Sequence, residues 1–245
     1  MKLKILGSSS SGNGYILEAS DGALVIECGM PLIEVKKALD FKIGRIVGAI
    51  VTHQHGDHSK FIAEYLKSAI RVCALKEVFD AHALTQRIFC KEIEPMHGYR
   101  IGTFNVFVVP VEHDVPCVGF IIEHAEMGKI LFVTDTMMFE YRIPNLSHMM
   151  IEANYSDEIL DYNIENGITP ASMRPRLLQS HMEIKTTENI VLSSNLDTVN
   201  DIILIHLSHN NSDAEQFKQR IMQKTGKPVI IAKRGVCVDV SKAPY

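Results

Sequence analysis

The segment Thr52-His53-Gln54-His55-Gly56-Asp57-His58 places three imidazoles and a carboxylate within six residues. It follows the apolar run Ile46-Val47-Gly48-Ala49-Ile50-Val51, so the cluster stands at the exit of a buried-strand pattern. His53 and His55 are two apart in extended or loop backbone, a spacing that lets both rings face one side. Asp57 and His58 then open the amphipathic segment Ser59 to Lys67, where one tight turn presents two adjacent ligand groups. Crowded imidazoles repel one another or lose solvation, and a divalent cation relieves both problems by taking neutral ring nitrogen as ligand. An ordinary surface turn would draw on Asn, Gly or Asp instead. The residue types and their spacing therefore read as a metal site.

Three more ligand-type residues stand at the ends of apolar runs, where a rigid sheet can hold a side chain in place. His113 follows Phe104 to Val109 within Val-Glu-His-Asp, Asp135 follows Ile130 to Thr134, and His206 ends the run Ile202 to Ile205. Singly, each would be an ordinary core or turn residue. Arg142, Arg174 and Arg176 could orient a phosphate but read as solvated surface, and His82, His97, His124 and His148 have no motif around them. The Ser/Gly stretch from Gly7 to Gly14 lacks the lysine and spacing of a P-loop and reads as a tight turn.

The elements that must position these groups can be read from the apolar periodicity. Leu3 to Leu6, Tyr15 to Glu18 and Leu24 to Glu27 form an antiparallel meander. A helix follows from Pro31 to Leu39, then the strand before the histidines, a helix to about Ser68, a strand Ile70 to Cys73 and a helix from Lys76 to about Thr85. Strands return at Phe104 to Val109, Val118 to Glu123, Ile130 to Thr134 and His148 to Glu152. Residues 156 to 195 read as mainly helical, interrupted at Asn166-Gly167 and Thr169-Pro170. Asp201 to His206 is a strand, Ser212 to Lys224 a helix opened by the box Ser212-x-x-Glu215, and Val229 to Ala232 and Val236 to Val240 are closing strands. Strands and helices in two rounds imply two sheets face to face with helices outside.

The chain has 245 residues, 46% hydrophobic and 22% charged, with a formal charge of -4. This is the composition of a soluble globular protein, without a composition shift to divide residues 1–245 into more than a single domain. The acidic balance argues against a long basic face for nucleic acid. No apolar run reaches the roughly 18 residues that span a bilayer, and no signal-peptide core develops after Met1, so the expectation is a cytoplasmic protein without a membrane partner. Cys28, Cys73, Cys90, Cys117 and Cys237 are odd in number and widely spaced, and read as core thiols. Met137-Met138-Phe139 and Met149-Met150 suit core packing or a homodimer contact.

In order, His-x-His-x-Asp-His, then a His, an Asp and a His resembles the metallo-β-lactamase-fold hydrolases. The resemblance covers almost the whole chain and implies an α/β, four-layer αββα sandwich built from two similar halves. Leu-Gly-Ser-Ser-Ser-Ser-Gly-Asn at 6–13, His-Asp-x-Pro-x-Val-Gly-Phe at 113–120 and His-Leu-Ser-x-Asn-Asn at 206–211 resemble signatures of the YycJ-type branch. The chain is also similar to phage-encoded relatives that hydrolyse cyclic mononucleotides and counter Pycsar defence, and the motifs fit both. For a phage protein the setting would be the host cytoplasm.

Carried over residue by residue, the resemblance implies one metal on His53, His55 and His113, a second on Asp57, His58 and His206, and Asp135 bridging them. Mixed nitrogen and oxygen ligation suits two Zn2+, with Mn2+ as the alternative. Asp57 and His181 are the expected catalytic residues, and the nucleophile would be hydroxide rather than a side chain. The activity this implies is hydrolysis of a nucleotide phosphodiester, a cyclic mononucleotide first. A DNA or RNA nuclease is the alternative, followed by a thioester or β-lactam hydrolase and a non-catalytic binding protein.

The chain departs from the family at two points. Glu27 stands before Cys28-Gly29 where relatives carry Asp, which would displace support of the histidine loop by one methylene. Ser180-His181-Met182 resembles the family's Gly-His-Leu-Ser segment without its glycine or serine, and His181 would donate a proton or contact the phosphate. It precedes the helix-start signals Thr186 and Thr187. His209 is the rival of His206 but sits in a polar turn.

Overall fold

Short apolar runs punctuated by Gly and Ser form strands, because each suffices for a buried pleat and is too short for an amphipathic helix. In the computed structural model, which describes residues 1–84 and 87–242, the opening runs become β1 (Lys2–Gly7), β2 (Gly14–Glu18) and β3 (Ala23–Ile26). They pair as the expected meander, with Leu3 opposite Leu17 and Tyr15 opposite Ile26. Next come α1 (Leu32–Ala38), β4 (Ile46–Ile50), α2 (Gly56–Ser59), α3 (Ile62–Lys67), β5 (Val72–Ala74), α4 (Lys76–Ala81) and β6 (Cys90–Glu92). The chain continues through β7 (Gly98–Ile101), β8 (Phe104–Val111), β9 (Cys117–His124), β10 (Gly128–Val133) and β11 (His148–Glu152). Then follow α5 (Asp157–Glu165), α6 (Arg174–Ser180), α7 (Ile184–Ser193), β12 (Asp201–Ile205), α8 (Ala214–Thr225), β13 (Val229–Ile231) and β14 (Cys237–Asp239).

Among the described residues, these strands fall in two seven-stranded sheets, and contacts group the chain into two compact units. The first unit takes Met1–Pro110, Val115–Gly128 and the stretch from Lys233 onward. It holds the sheet ordered β14-β1-β2-β3-β4-β5-β6, antiparallel as far as β3 and parallel beyond it. Its parallel strand β4 ends just before the histidine segment and is increasingly buried towards that end. Helix α1 packs on β1 and α3 on β5, and the antiparallel pair β7–β8 belongs to the same unit.

The second unit takes Val111–Asp114 and Lys129–Ala232. Its strands run β13-β12-β11-β10, all parallel, in the register Val133↔Ile151 and Glu152↔Ile205. Parallel pairing brings every carboxyl end to one edge, the place where open α/β sheets bind ligands. Asp135, Glu152 and His206 all lie at that edge. Strands β11 and β12 are buried at every residue, as expected of parallel strands covered on both faces.

Several boundaries differ from the sequence reading. The helix after the histidines is two pieces, α2 and α3, broken at Lys60-Phe61. Helix α4 ends at Ala81, and Thr85, its expected end, lies outside the described residues. Helix α8 is capped by Asp213, whose side chain accepts from Gln216 N, one residue after the expected Ser212. Helix α7 starts at Ile184 with Glu183 as its cap, so Thr186 and Thr187 lie inside its first turn. Strands β6 and β7 are short and part-polar, and their periodicity gave no signal. Of the cysteines, Cys28, Cys73 and Cys117 are core thiols, whereas Cys237 is exposed and Cys90 half-buried on edge-region strands. Met149 and Met150 are core, while Met137 and Met138 are exposed. No helix among the described residues is long and apolar enough to cross a membrane.

Candidate metal centre

In the first unit, three loop segments are tied together by their backbones. Asn13 N donates to Asp57 O at 2.7 Å, Cys28 N to His58 O at 2.7 Å, Gly29 N to Asn13 O at 3.1 Å and Phe61 N to Cys28 O at 3.0 Å. Glycine is required at 29, because any Cβ there would fall inside the Asp57 carbonyl and crowd Asn13 N. This lacing fixes the turn that carries Asp57 and His58.

Buried Glu27 then organises the imidazoles. Its Oε1 accepts from Thr52 Oγ1 at 2.6 Å and lies 3.2 Å from His58 Nδ1, and its Oε2 accepts from Thr52 N at 3.3 Å. Thr52 Oγ1, having given its hydrogen to Glu27, accepts from His53 Nδ1 at 3.0 Å. The Thr52 contact therefore puts the His53 proton on Nδ1 and keeps Nε2 as its coordinating nitrogen, and the Glu27 carboxylate 3.2 Å from His58 Nδ1 favours the same tautomer there. Glu27 sits at a left-handed φ of 68°, and its carboxylate reaches Thr52 and lies beside His58. Ring centroids of His53 lie 4.7 Å from His55 and 4.3 Å from His58. His58 Nε2 and Asp57 Oδ2 stand 3.2 Å apart. Two electron-pair donors at that separation fit a cation that both would ligate.

In the second unit, fully buried Glu152 ends β11 and plays the corresponding part. Its Oε1 accepts from His181 Nδ1 at 2.8 Å and His206 Nδ1 at 3.1 Å, while its Oε2 accepts from Thr136 N and Met182 N, each at 3.3 Å. Asp135 Oδ1 lies 3.3 Å from His181 Nδ1, and Asp135 Oδ2 accepts from Thr134 Oγ1 at 3.0 Å. Asn154 Nδ2 holds the His206 carbonyl at 2.8 Å. The rings of His181 and His206 stack at 5.3 Å, and that of His113 lies 6.2 Å from His181. Asp135 and His206 also sit at positive φ, 51° and 53°, a strain of the kind that collects at functional sites.

Ligand-type atoms of Asp135, Glu152, His181 and His206 all lie within 4.8 Å of one another. Burial opposes charge on Glu152, yet His181 and the two imidazole hydrogen bonds hold its pKa below the usual carboxylate range. Burial likewise opposes charge on His181, and the Glu152 carboxylate outweighs it, raising the imidazole above its ordinary value. With both Nδ1 atoms engaged by Glu152, Nε2 of the imidazoles and the Asp135 carboxylate are the donors left, a mixed nitrogen and oxygen set that fits a divalent metal.

The expected residues thus gather within each unit. His53, His55, Asp57 and His58 share the first unit's loop edge; Asp135, His181 and His206 share the second's, with His113 beside His181. His209 is exposed in the turn after His206. His124 and His148 are buried against Asp21 and Asp201, and His82 lies 2.7 Å from Ser59 Oγ. Arg174 pairs with Asp161, and Arg142 and Arg176 are exposed. Sequence reasoning missed Glu152, Thr52, Asn13 and Asn154. Glu152 alone carried a signal: a carboxylate closing an otherwise apolar strand.

A family model described as the metallo-beta-lactamase superfamily matches residues 9–162. Among curated proteins the chain is similar to exodeoxyribonuclease YycJ of Bacillus anthracis, 23% identical over 91% of this chain and 88% of that one. It is equally similar to exodeoxyribonuclease WalJ of Streptococcus pneumoniae, 23% identical over 97% and 91%. Among solved structures, the metallo-beta-lactamase fold protein YhfI of Bacillus subtilis superposes with a TM-score of 0.74 at 18% identity, covering 97% of this chain and 99% of that one. Zn(2+)-bound PqqB of Methylobacterium extorquens gives 0.73 at 12%, covering 98% and 100%. The family match spans more than half of the sequence and the histidine motif within it: the chain belongs to the metallo-beta-lactamase superfamily and is a metal-dependent hydrolase of that fold.

Proposed function

We propose that the chain hydrolyses phosphodiester bonds of nucleotides at a dinuclear metal centre, with cyclic mononucleotides as preferred substrates. In this reading His53, His55 and His113 would hold one ion and Asp57, His58 and His206 the other, with Asp135 as a further ligand. Zinc is the preferred metal and manganese the alternative. The observation that carries the reading is Glu152, which holds Nδ1 of both His181 and His206 and so commits the opposite nitrogens to chemistry. When bound, two metal ions supply a water ionised near neutral pH and neutralise charge on the phosphoryl oxygens. His181, its proton affinity raised beside Glu152, protonates the leaving oxygen. Asp57 would supply the acidic donor among these ligands.

The small-substrate preference is supported by the charge of -4, which gives a long polyanion little counterion-release gain. A second reading, a nuclease on DNA, is favoured by the two exodeoxyribonuclease relatives. Purified metal-loaded protein should be assayed on cyclic mononucleotides, cyclic dinucleotides, and single- and double-stranded DNA and RNA at equal phosphate concentration. Faster turnover of a cyclic mononucleotide supports the first reading. Efficient cleavage of DNA with no loss of cyclic mononucleotides replaces it with the second.

A further inference from the structure

We propose that Asn13 is a further substrate-contacting residue, its Nδ2 donating to a phosphoryl oxygen of the bound phosphodiester; this rests on the hydrolase reading above. Asn13 is buried, and its backbone is already spoken for on both sides, by Asp57 O and Gly29 N. The side-chain amide is therefore not needed to tie the loop down. Its orientation is set chemically: Oδ1 lies 3.4 Å from Tyr15 Oη, while Nδ2 lies 3.2 Å from Asp57 Oδ2 and 3.0 Å from His58 Nε2. Turning the amide over would set its oxygen against two acceptors, so the NH2 group faces the ligand atoms.

The Glu27 carboxylate 3.2 Å from His58 Nδ1 favours the tautomer protonated there, which leaves Nε2 as the ring's acceptor and its coordinating atom. A single nitrogen lone pair cannot serve both Asn13 and a metal ion. Once His58 Nε2 is given to coordination, one Asn13 N–H keeps Asp57 Oδ2 and the other must find a new acceptor at the same spot. A buried donor left unmatched is costly, and the groups closest to a ligand atom of such a site are the oxygens of the phosphate being cleaved. An amide donor already in place where charge builds on those oxygens acts as an oxyanion-hole group does, without reorganising during the reaction. The Ser/Gly turn from Gly7 to Gly14 acquires a purpose from this: it delivers Asn13 rather than cradling phosphate with its own backbone.

The test compares wild type with Asn13→Ala and the near-isosteric Asn13→Asp, all zinc-loaded. Zinc content, zinc affinity by chelator competition, and the affinity of inorganic phosphate by calorimetry are measured beside kcat and KM on bis(p-nitrophenyl) phosphate. The expected result is unchanged zinc content and affinity, phosphate bound at least about 10-fold more weakly, and kcat lower by roughly 10²-fold, the scale for loss of one such donor. Asn13→Asp keeps the side chain's size and so covers the case in which the alanine variant fails to fold; it should lose phosphate affinity as well. Unchanged phosphate affinity overturns the proposal. Zinc affinity lowered in step with activity, and activity restored by excess zinc, also overturns it and makes Asn13 a support for Asp57 and His58. If wild type itself binds phosphate but cleaves no phosphodiester, the functional reading fails while the phosphate comparison still decides the role of Asn13.

Discussion

Glu152 Oε1 lies 2.8 Å from His181 Nδ1 and 3.1 Å from His206 Nδ1, so one buried carboxylate orients two imidazoles whose rings stack. The first unit repeats the device with Glu27, which takes Thr52 and His58 and, through Thr52, sets the tautomer of His53. Each half of the chain thus uses an acid at the end of a strand to turn ring nitrogens outward.

Removing the Glu152 acceptor should therefore cost both activity and stability. Glu152→Gln cannot accept from both imidazoles through Oε1 and still satisfy Thr136 N and Met182 N, and turnover should fall by roughly 10²-fold because both rings lose the carboxylate that orients them. Glu152→Ala leaves those donors buried without their partner and should destabilise by about 3–5 kcal/mol. Steady-state rates and urea unfolding measure the two effects. A glutamine variant with wild-type turnover would remove Glu152 from the mechanism.

His181→Ala should slow hydrolysis of unactivated phosphodiesters by roughly 10²-fold while metal content stays constant, because the leaving oxygen loses its proton donor. With a nitrophenolate leaving group, which needs little protonation, the loss should be much smaller. Equal losses on both substrates would mean that His181 positions substrate rather than donating a proton, and unchanged rates would leave it a packing residue.

Gly29→Ala probes the lacing beneath the ligands. The new methyl would overlap the Asp57 carbonyl, a backbone atom that cannot turn aside, so the turn bearing Asp57 and His58 must move. Overpacking of this kind costs at least about 1–3 kcal/mol, and metal affinity should fall with it. Thermal melting with and without zinc separates the two losses, and a variant with wild-type melting and zinc uptake would contradict the packing described here.

The thiols should react in the order of their burial. Burial pushes the Cys73 thiol up to about 11 and raises Cys28 well above its ordinary value, helped there by the Glu27 charge. Each is protonated at pH 8, and the reactive thiolate of Cys73 gains only as pH approaches that raised value. Exposed Cys237 should be modified first by an aromatic disulfide reagent at pH 8, with Cys28 and Cys73 reacting only on unfolding. Rapid modification of Cys73 in the folded protein would refute this ordering.

The candidate ligand residues were legible as candidates because they cluster within six residues or close apolar runs, and both patterns survive in a linear string. Glu152 was not, since its partners His181 and His206 stand 29 and 54 residues away and converge only when parallel strands align their ends. Asn13 stood in the 6–13 motif but with no role, because the turn reads as Ser/Gly punctuation and its neighbour Asp57 is 44 residues distant. The cap of α8 was missed by one residue because Ser212 and Asp213 are both good capping types and only the local backbone chooses between them. Strands β6 and β7 escaped because short, part-polar strands leave too little alternation to detect.

If the proposed dinuclear centre carries the reaction, phosphodiester hydrolysis depends on both metal ions. Metal-free protein titrated with zinc should show hydrolysis of bis(p-nitrophenyl) phosphate rising to a plateau at two equivalents per chain, with Asp57→Ala failing to reach it by orders of magnitude. A plateau at one equivalent, or no hydrolysis at any ratio of zinc or manganese, would contradict the account.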